Sequence, residues 1–237
     1  ENARARRVCD DLGRLVELRD KTTGVDAVRH GTGAEAPPAF IVDAYSANQR
    51  LTVDDPLLNE EGGFCLADPA LLFSTNRSGD LYRLAIAPAV PPEIDVAETD
   101  GVQTLTCHAV LPGDVRVTFS VSLPADSASS DWHIAVDNAA DTKPADHMRV
   151  FRVLFPLLSQ LRVGDNPASN RLARSYIQGE LIPNPSQHDF IRPTHPDSHV
   201  NVLTYPGWAS MPWMDLYAEG VSRSGAAGGV YFASYDP

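Results

Sequence analysis

The sequence predicts an all-β protein, a large antiparallel sandwich of two sheets with little helix. Three observations carry this. First, the apolar period is two along much of the chain. It is cleanest at residues 115–123, where Val115, Val117, Phe119, Val121 and Leu123 alternate with Arg116, Thr118, Ser120 and Ser122, the pattern of a half-buried antiparallel strand. Second, 19 prolines and 16 glycines are spread along 237 residues, as in a chain of short strands joined by turns. Third, no stretch has the length and 3.6 period of a packed amphipathic helix.

The elements follow in order. Residues 4–9 and 14–20 read as an opening hairpin, with its turn at Asp10, Asp11, Leu12 and Gly13. Leu15 and Val16 blur the alternation, and Lys21, Thr22, Thr23 and Gly24 supply the next turn. Strands are expected at 39–45, 70–76 and 82–87. Asp100-Gly101 joins 93–98 to 102–111, and Pro112, Gly113 and Asp114 join that strand to 115–123. Residues 131–137 and 148–158 continue the pattern. Strands at 209–217 and 229–234 close it, linked by a glycine-rich turn at 225–229 that precedes a strand and lacks the Lys of a phosphate loop. Residues 156–161 and 167–173 have room for one helical turn each. Loops are expected at 125–131, 138–147 and 183–199, the last long enough to suggest a functional role. With no internal repeat and no composition break, residues 1–237 read as one domain.

Composition narrows the function. Lys and Arg number 19 against 31 Asp and Glu, a net charge of −12, and such a surface repels a phosphate backbone, so nucleic acid is not expected as a partner. No membrane partner is expected either: the longest apolar runs, such as residues 153–158, fall far short of the ~20 residues of a spanning helix. The opening residues, Glu1 to Arg7, lack the apolar core of a signal peptide, which leaves a cytoplasmic or secreted location equally open. Cys9, Cys65 and Cys107 form no CxxC motif, which excludes a zinc ribbon. Each lies in or beside an apolar run. They read as buried free thiols, with one disulfide plus one free thiol as the alternative.

The second half carries a series of short pieces: DWHIAVDN at 131–138, MRVFRVLFP at 148–156, IQGELIPNP at 177–185, YPGWASMPWMDLY at 205–217 and GVYFA at 229–233. With the opening hairpin, this series resembles the N-terminal β-supersandwich of large bacterial glycoside hydrolases, the endo-α-N-acetylgalactosaminidase-like and α-galactosidase-like enzymes, a fold similar to galactose mutarotase. The resemblance implies a sandwich preceding a catalytic (β/α)8 barrel, with carbohydrate as ligand and the barrel as intramolecular partner. The catalytic carboxylates would then lie on the barrel, and the sandwich would buttress it and shape the substrate cleft. No cofactor and no metal are implied. The last residues, Tyr235, Asp236 and Pro237, follow directly on the last strand, as expected of a domain excised ahead of a barrel.

Four constellations could carry chemistry. His188, His195 and His199, with Asp189 and Asp197, share one loop. Pro193 and Pro196 rule out the helical frame of an HExxH zinc site, so the plain reading is a polar surface segment and the functional one a substrate contact. Tyr205, Trp208, Trp213 and Tyr217 form an aromatic series in which Trp208 follows a Tyr-Pro-Gly turn. Aromatic faces stack on the C–H faces of sugars, and Asp215 or Asn201 could read hydroxyls, although core packing is the competing reading. On a strand Trp213, Asp215 and Tyr217 share one face, leaving Met214 and Leu216 to the core. Glu180 and Asp215 are candidate carboxylates for a glycosidase pair, with an ion pair to Arg171 or Arg174 the plain reading of Glu180. Two alternatives stand beside the accessory-domain reading: a stand-alone carbohydrate-binding module, and an aldose epimerase, which would use His108 or His133 with Asp215 or Glu219. Asn76 fits a glycosylation acceptor, and the acidic stretch at Asp54, Asp55, Glu60 and Glu61 reads as a solvated loop.

Overall fold

The computed structural model describes residues 1–29, 38–46, 81–84, 86, 90–138, 148–158, 161–176, 179–187, 209–220 and 228–234. Among them all regular structure is strand apart from two 3₁₀ turns, Pro167–Ser169 and Pro185–Gln187. No helix there is long and apolar enough to cross a membrane. The strands are β1 (Ala5–Cys9), β2 (Leu15–Asp20), β3 (Asp26–Arg29), β4 (Ile41–Ser46), β5 (Leu81–Leu84), β6 (Glu93–Thr99) and β7 (Val102–Leu111). Then come β8 (Val115–Pro124), β9 (Asp131–Asp137), β10 (Met148–Leu154), β11 (Arg171–Tyr176), β12 (Glu180–Pro183), β13 (Ala209–Ala218) and β14 (Gly228–Ala233). They form four sheets, ordered β1-β2-β3, β10-β4-β5, β12-β11-β13-β14 and β6-β7-β8-β9. Every ladder whose register is described is antiparallel. The protein is an all-β sandwich protein, as the period-two pattern predicts.

The chain divides into two compact units, one holding β1, β2 and β4 to β10, the other holding the start of β3 and β11 to β14. In the first unit β6 to β9 form a meander. The turn between β6 and β7 places Asp100 and Gly101 at φ 51° and 74°, and the turn into β8 places Gly113 and Asp114 at 77° and 57°. These left-handed positions are the ones Asp-Gly and Gly-Asp turns supply at least cost. All the odd-numbered residues of β8 up to Leu123 are buried while Arg116 is exposed. That buried face packs with Phe40, Val42 and Ala44 of the β4 region, with Leu84 of β5, and with Leu105, Cys107, Ala109, Ile134 and Val136. Phe119 stands at the centre, edge-on to Phe40 at 6.0 Å and tilted against Phe155 at 5.7 Å. Trp132 completes the cluster 6.0 Å from Phe155, and its indole N–H donates to Ser130 at 2.9 Å. The Trp132 ring and its polar edge are thus both engaged within the unit.

The opening hairpin is tied to the same sheet. Asn2 donates to the carbonyls of Pro124 and Ser127, and Arg7 to that of Ala128 at 2.7 Å. Burial lowers the Arg7 guanidinium from its usual pKa, and Asp20 offsets part of the effect.

Several elements differ from expectation. Residues 167–173 hold only the 3₁₀ turn Pro167–Ser169, and Arg171 already begins β11. The expected turn at 156–161 is not helical at the described positions; there the Leu157 amide donates to the carbonyl of Ala39 at 3.2 Å. β10 ends at Leu154, just before the cis Phe155–Pro156 bond. Met214, expected in the core, is 42% exposed. It shares the inner face of its sheet but lies one residue pair beyond the second unit's cluster of Val25, Val163, Leu216 and Ala218. Leu216 is buried, as expected. The expected strand at 70–76, the 138–147 loop beyond Asn138, Cys65, Asn76 and the acidic stretch at 54–61 lie outside the described residues. Cys9 and Cys107 are free thiols.

Candidate functional site

The site builds up from the ladder register of the sheet β12-β11-β13-β14. Residues directly opposite one another in an antiparallel ladder share a face. Leu181, Ala173, Asp215 and Tyr231 therefore form one row across four strands, and Pro183, Arg171, Tyr217 and Gly229 form the next. Trp213 belongs to the same face by alternation along β13. The opposite face carries Leu216, Ala218, Leu172 and Ile182, which are the unit's apolar packing residues. The row side is the open one: Tyr231 is 59% exposed and Leu181 53%.

On that open face Trp213 and Tyr231 stack, with ring centroids 6.1 Å apart and planes 23° from parallel. They are diagonal neighbours, since Tyr231 pairs with Asp215, two residues along from Trp213. Gly229 faces Tyr217, and a Cβ there would come within 2.7 Å of the Leu216 carbonyl and 2.8 Å of the Tyr217 Cβ. Glycine is what allows this close approach. Asp215 sits half-buried between the aromatics, and burial raises its carboxyl above the usual pKa. Among the described residues it makes no ion pair. The arrangement offers two aromatic planes with one carboxylate acceptor beside them.

Glu180 has a different setting. It pairs with Arg174, the second of the two arginines the sequence offered. Arg174 Nε donates to Glu180 Oε2 at 2.6 Å, and Nη2 donates to the same oxygen. Arg174 is buried and lies opposite both Glu180 and Met214. Glu180 therefore projects from the inner face while Asp215 projects from the open face. The two carboxylates cannot flank one glycosidic bond, because the sheet stands between them.

The structure thus places Trp213, Asp215 and Glu180 and unites the first two. His188, His195, His199, Tyr205 and Trp208 lie outside the described residues. His108 and His133 occupy the solvent side of the β6–β9 sheet, where His108 Nδ1 shares a hydrogen bond with Thr118 Oγ1 at 3.0 Å. Asp215 and Glu219 belong to the other unit. Among the described residues no three His, Cys, Asp or Glu side chains gather as a metal site. Tyr231 is the residue sequence reasoning missed. Its strand is legible, but its partner depends on the β13–β14 register.

Comparison of the chain with protein-family models, with curated proteins and with solved structures finds no match.

Proposed function

We propose that the chain is a carbohydrate-recognising β-sandwich, and that it serves as the accessory sandwich of a glycoside hydrolase of the kind its second-half pieces resemble. The observation that carries the reading is the Trp213–Tyr231 stack on an open sheet face with Asp215 in the adjoining position. Sugar rings present C–H faces to such planes, and a neighbouring carboxylate accepts from hydroxyls at the ring edge. The half-buried Trp213 and exposed Tyr231 leave apolar ring surface that a ligand can cover. Catalysis in the parent enzyme is assigned to carboxylates on a following barrel, and the opposed faces of Glu180 and Asp215 agree with a supporting role for this sheet.

The test is binding of neutral mono- and oligosaccharides to the purified chain, followed by calorimetry and by Trp fluorescence. The reading expects saturable binding that Trp213→Ala and Tyr231→Ala each weaken about tenfold, the scale of one lost aromatic contact of ~1–1.5 kcal/mol. Absence of binding to any neutral sugar would overturn it. Acceleration of sugar mutarotation by the chain would instead favour the epimerase reading.

A further inference from the structure

The open face does not end at Tyr217. Just past the end of β13, in the turn that follows Ala218, Glu219 lines a shallow depression of about 190 Å³ together with Ser169, Arg171, Pro183 and Asn184. Arg171 and Pro183 belong to the row that contains Tyr217, so the depression adjoins the aromatic surface on the same face. Its walls are fixed by local hydrogen bonds. Asn170, 3% exposed, donates its side-chain amide to the Val163 carbonyl at 2.7 Å and accepts from the Val163 amide at 2.9 Å. Asn184 donates its backbone N–H to the Asn170 carbonyl at 2.8 Å and holds φ at 47°. Asn166 caps the 3₁₀ turn that carries Ser169, accepting from the Ala168 amide at 3.1 Å. The backbone that frames one side of the depression is therefore pre-positioned.

We infer that this depression is a second subsite that reads the hydroxyls of a neutral sugar, so that the face as a whole takes an extended neutral oligosaccharide. Three features support this. Among the described residues neither Arg171 nor Glu219 is engaged in an ion pair, so a cationic donor and an anionic acceptor are both available to a ligand. Their charges cancel locally, which disfavours a ligand of either sign: Glu219 repels a carboxylate or sulfate, and Arg171 repels an ammonium. Adjacent hydroxyls are both donors and acceptors, and they satisfy such a pair without burying a net charge. The length also fits. Trp213 and Ala218, the last residue of β13, are separated by roughly 16 Å of extended chain at ~3.3 Å per residue, more than a single ring spans. This inference rests on the carbohydrate reading of the Trp213–Tyr231 stack and adds the ligand's length and charge class.

The experiment compares affinities for malto-, cello-, manno- and galacto-oligosaccharides of one to five units, with acidic galacturonate oligomers alongside. The proteins are the unaltered chain, Arg171→Ala, Glu219→Gln and Trp213→Ala. The expected result is an affinity that grows with chain length in one neutral series. Arg171→Ala and Glu219→Gln should each remove about tenfold of that gain while leaving the binding of the shortest ligand unchanged. Trp213→Ala should weaken every length. Circular dichroism and the thermal midpoint establish that each variant is folded. If the neutral sugars bind but Arg171→Ala and Glu219→Gln match the unaltered chain at every length, the second subsite is overturned and the aromatic reading stands. Tighter binding of galacturonate oligomers overturns the neutral-ligand assignment. If no sugar binds at all, both fall together.

Discussion

Gly13 packs its backbone against the ring of Phe119: a methyl group on Gly13 would stand 2.7 Å from Phe119 Cζ and 3.4 Å from Cys107 Sγ. Gly13 also holds φ at 71° in the turn of the opening hairpin. Two costs therefore combine in Gly13→Ala, a left-handed backbone of ~1–2 kcal/mol and overpacking of ~1–3 kcal/mol. Gly220 shares the first cost, at φ 67°, but open space surrounds its Cβ position. Gly13→Ala is expected to destabilise the protein by about 2–5 kcal/mol and Gly220→Ala by about 1–2 kcal/mol, read from urea midpoints at constant m-value. Equal losses would show that the hairpin does not press on Phe119.

The ion pair of Arg174 with Glu180 predicts an asymmetry. Arg174 is 6% exposed, whereas the Glu180 side chain is 32% exposed. Glu180→Ala strips a buried cation of a partner and is expected to cost about 1–3 kcal/mol, below the ~3–5 kcal/mol of a fully buried pair. Replacing both residues together, as Arg174→Met with Glu180→Leu, is expected to recover most of that loss because no buried charge remains. A double-mutant cycle by chemical denaturation reads the difference.

Asp215 gives the pH dependence. Burial raises its folded pKa above the usual 3.8, so the folded state disfavours the charged form. Below pH 3.8 the carboxyl is neutral in both folded and unfolded chains and carries no penalty. As the pH rises through the folded pKa, the unfolded state loses its proton more readily and stability falls, levelling off above that point. Asp215→Asn is therefore expected to be more stable than the unaltered chain at pH 7 and indistinguishable from it, at this site, below pH 3.8. Paired thermal melts across pH 3–8 measure this. A variant less stable at pH 7 would mean that the carboxylate is held by a favourable interaction.

The thiols predict selective labelling. Burial raises Cys9 to about 11, with Asp10 adding to the effect, and Cys107 to about 12, with Cys9 adding to it. At pH 8 the reactive thiolate is then about one part in a thousand or fewer at either site. Iodoacetamide at pH 8 should leave the peptides of Cys9 and Cys107 unmodified in the native protein and alkylate both in guanidinium. Mass spectrometry separates the two states, and rapid native alkylation of Cys107 would contradict its burial behind Gly13.

Much of the first unit was legible in the sequence. β7 and β8 occupy Val102–Leu111 and Val115–Pro124, almost the bounds the alternation predicts, because one face of that hairpin is buried and the other wet. Their turns were legible because Asp100-Gly101 and Gly113-Asp114 occupy left-handed positions. β11 was not legible. RLARSY carries two arginines, and in the buried face Arg174 is met by Glu180 from the next strand. A charge whose partner is tertiary gives no local signal, so Arg171–Tyr176 did not read as a strand.

For the site, the sequence by itself determined that Trp213, Asp215 and Tyr217 share a face, since a strand turns alternate side chains to opposite sides. It also determined the all-β class, through the period-two alternation. Which face of that sheet is open, and which residues join it, only the tertiary structure decided. Strand register brought Tyr231 beside Trp213 and put Glu180 on the far side from Asp215, and the turn after β13 brought Glu219 to the depression that Arg171 lines. The physical reason is that period-two alternation is a local property of a chain. Register is a pairing between segments distant in sequence, and it is fixed by which apolar face finds a core.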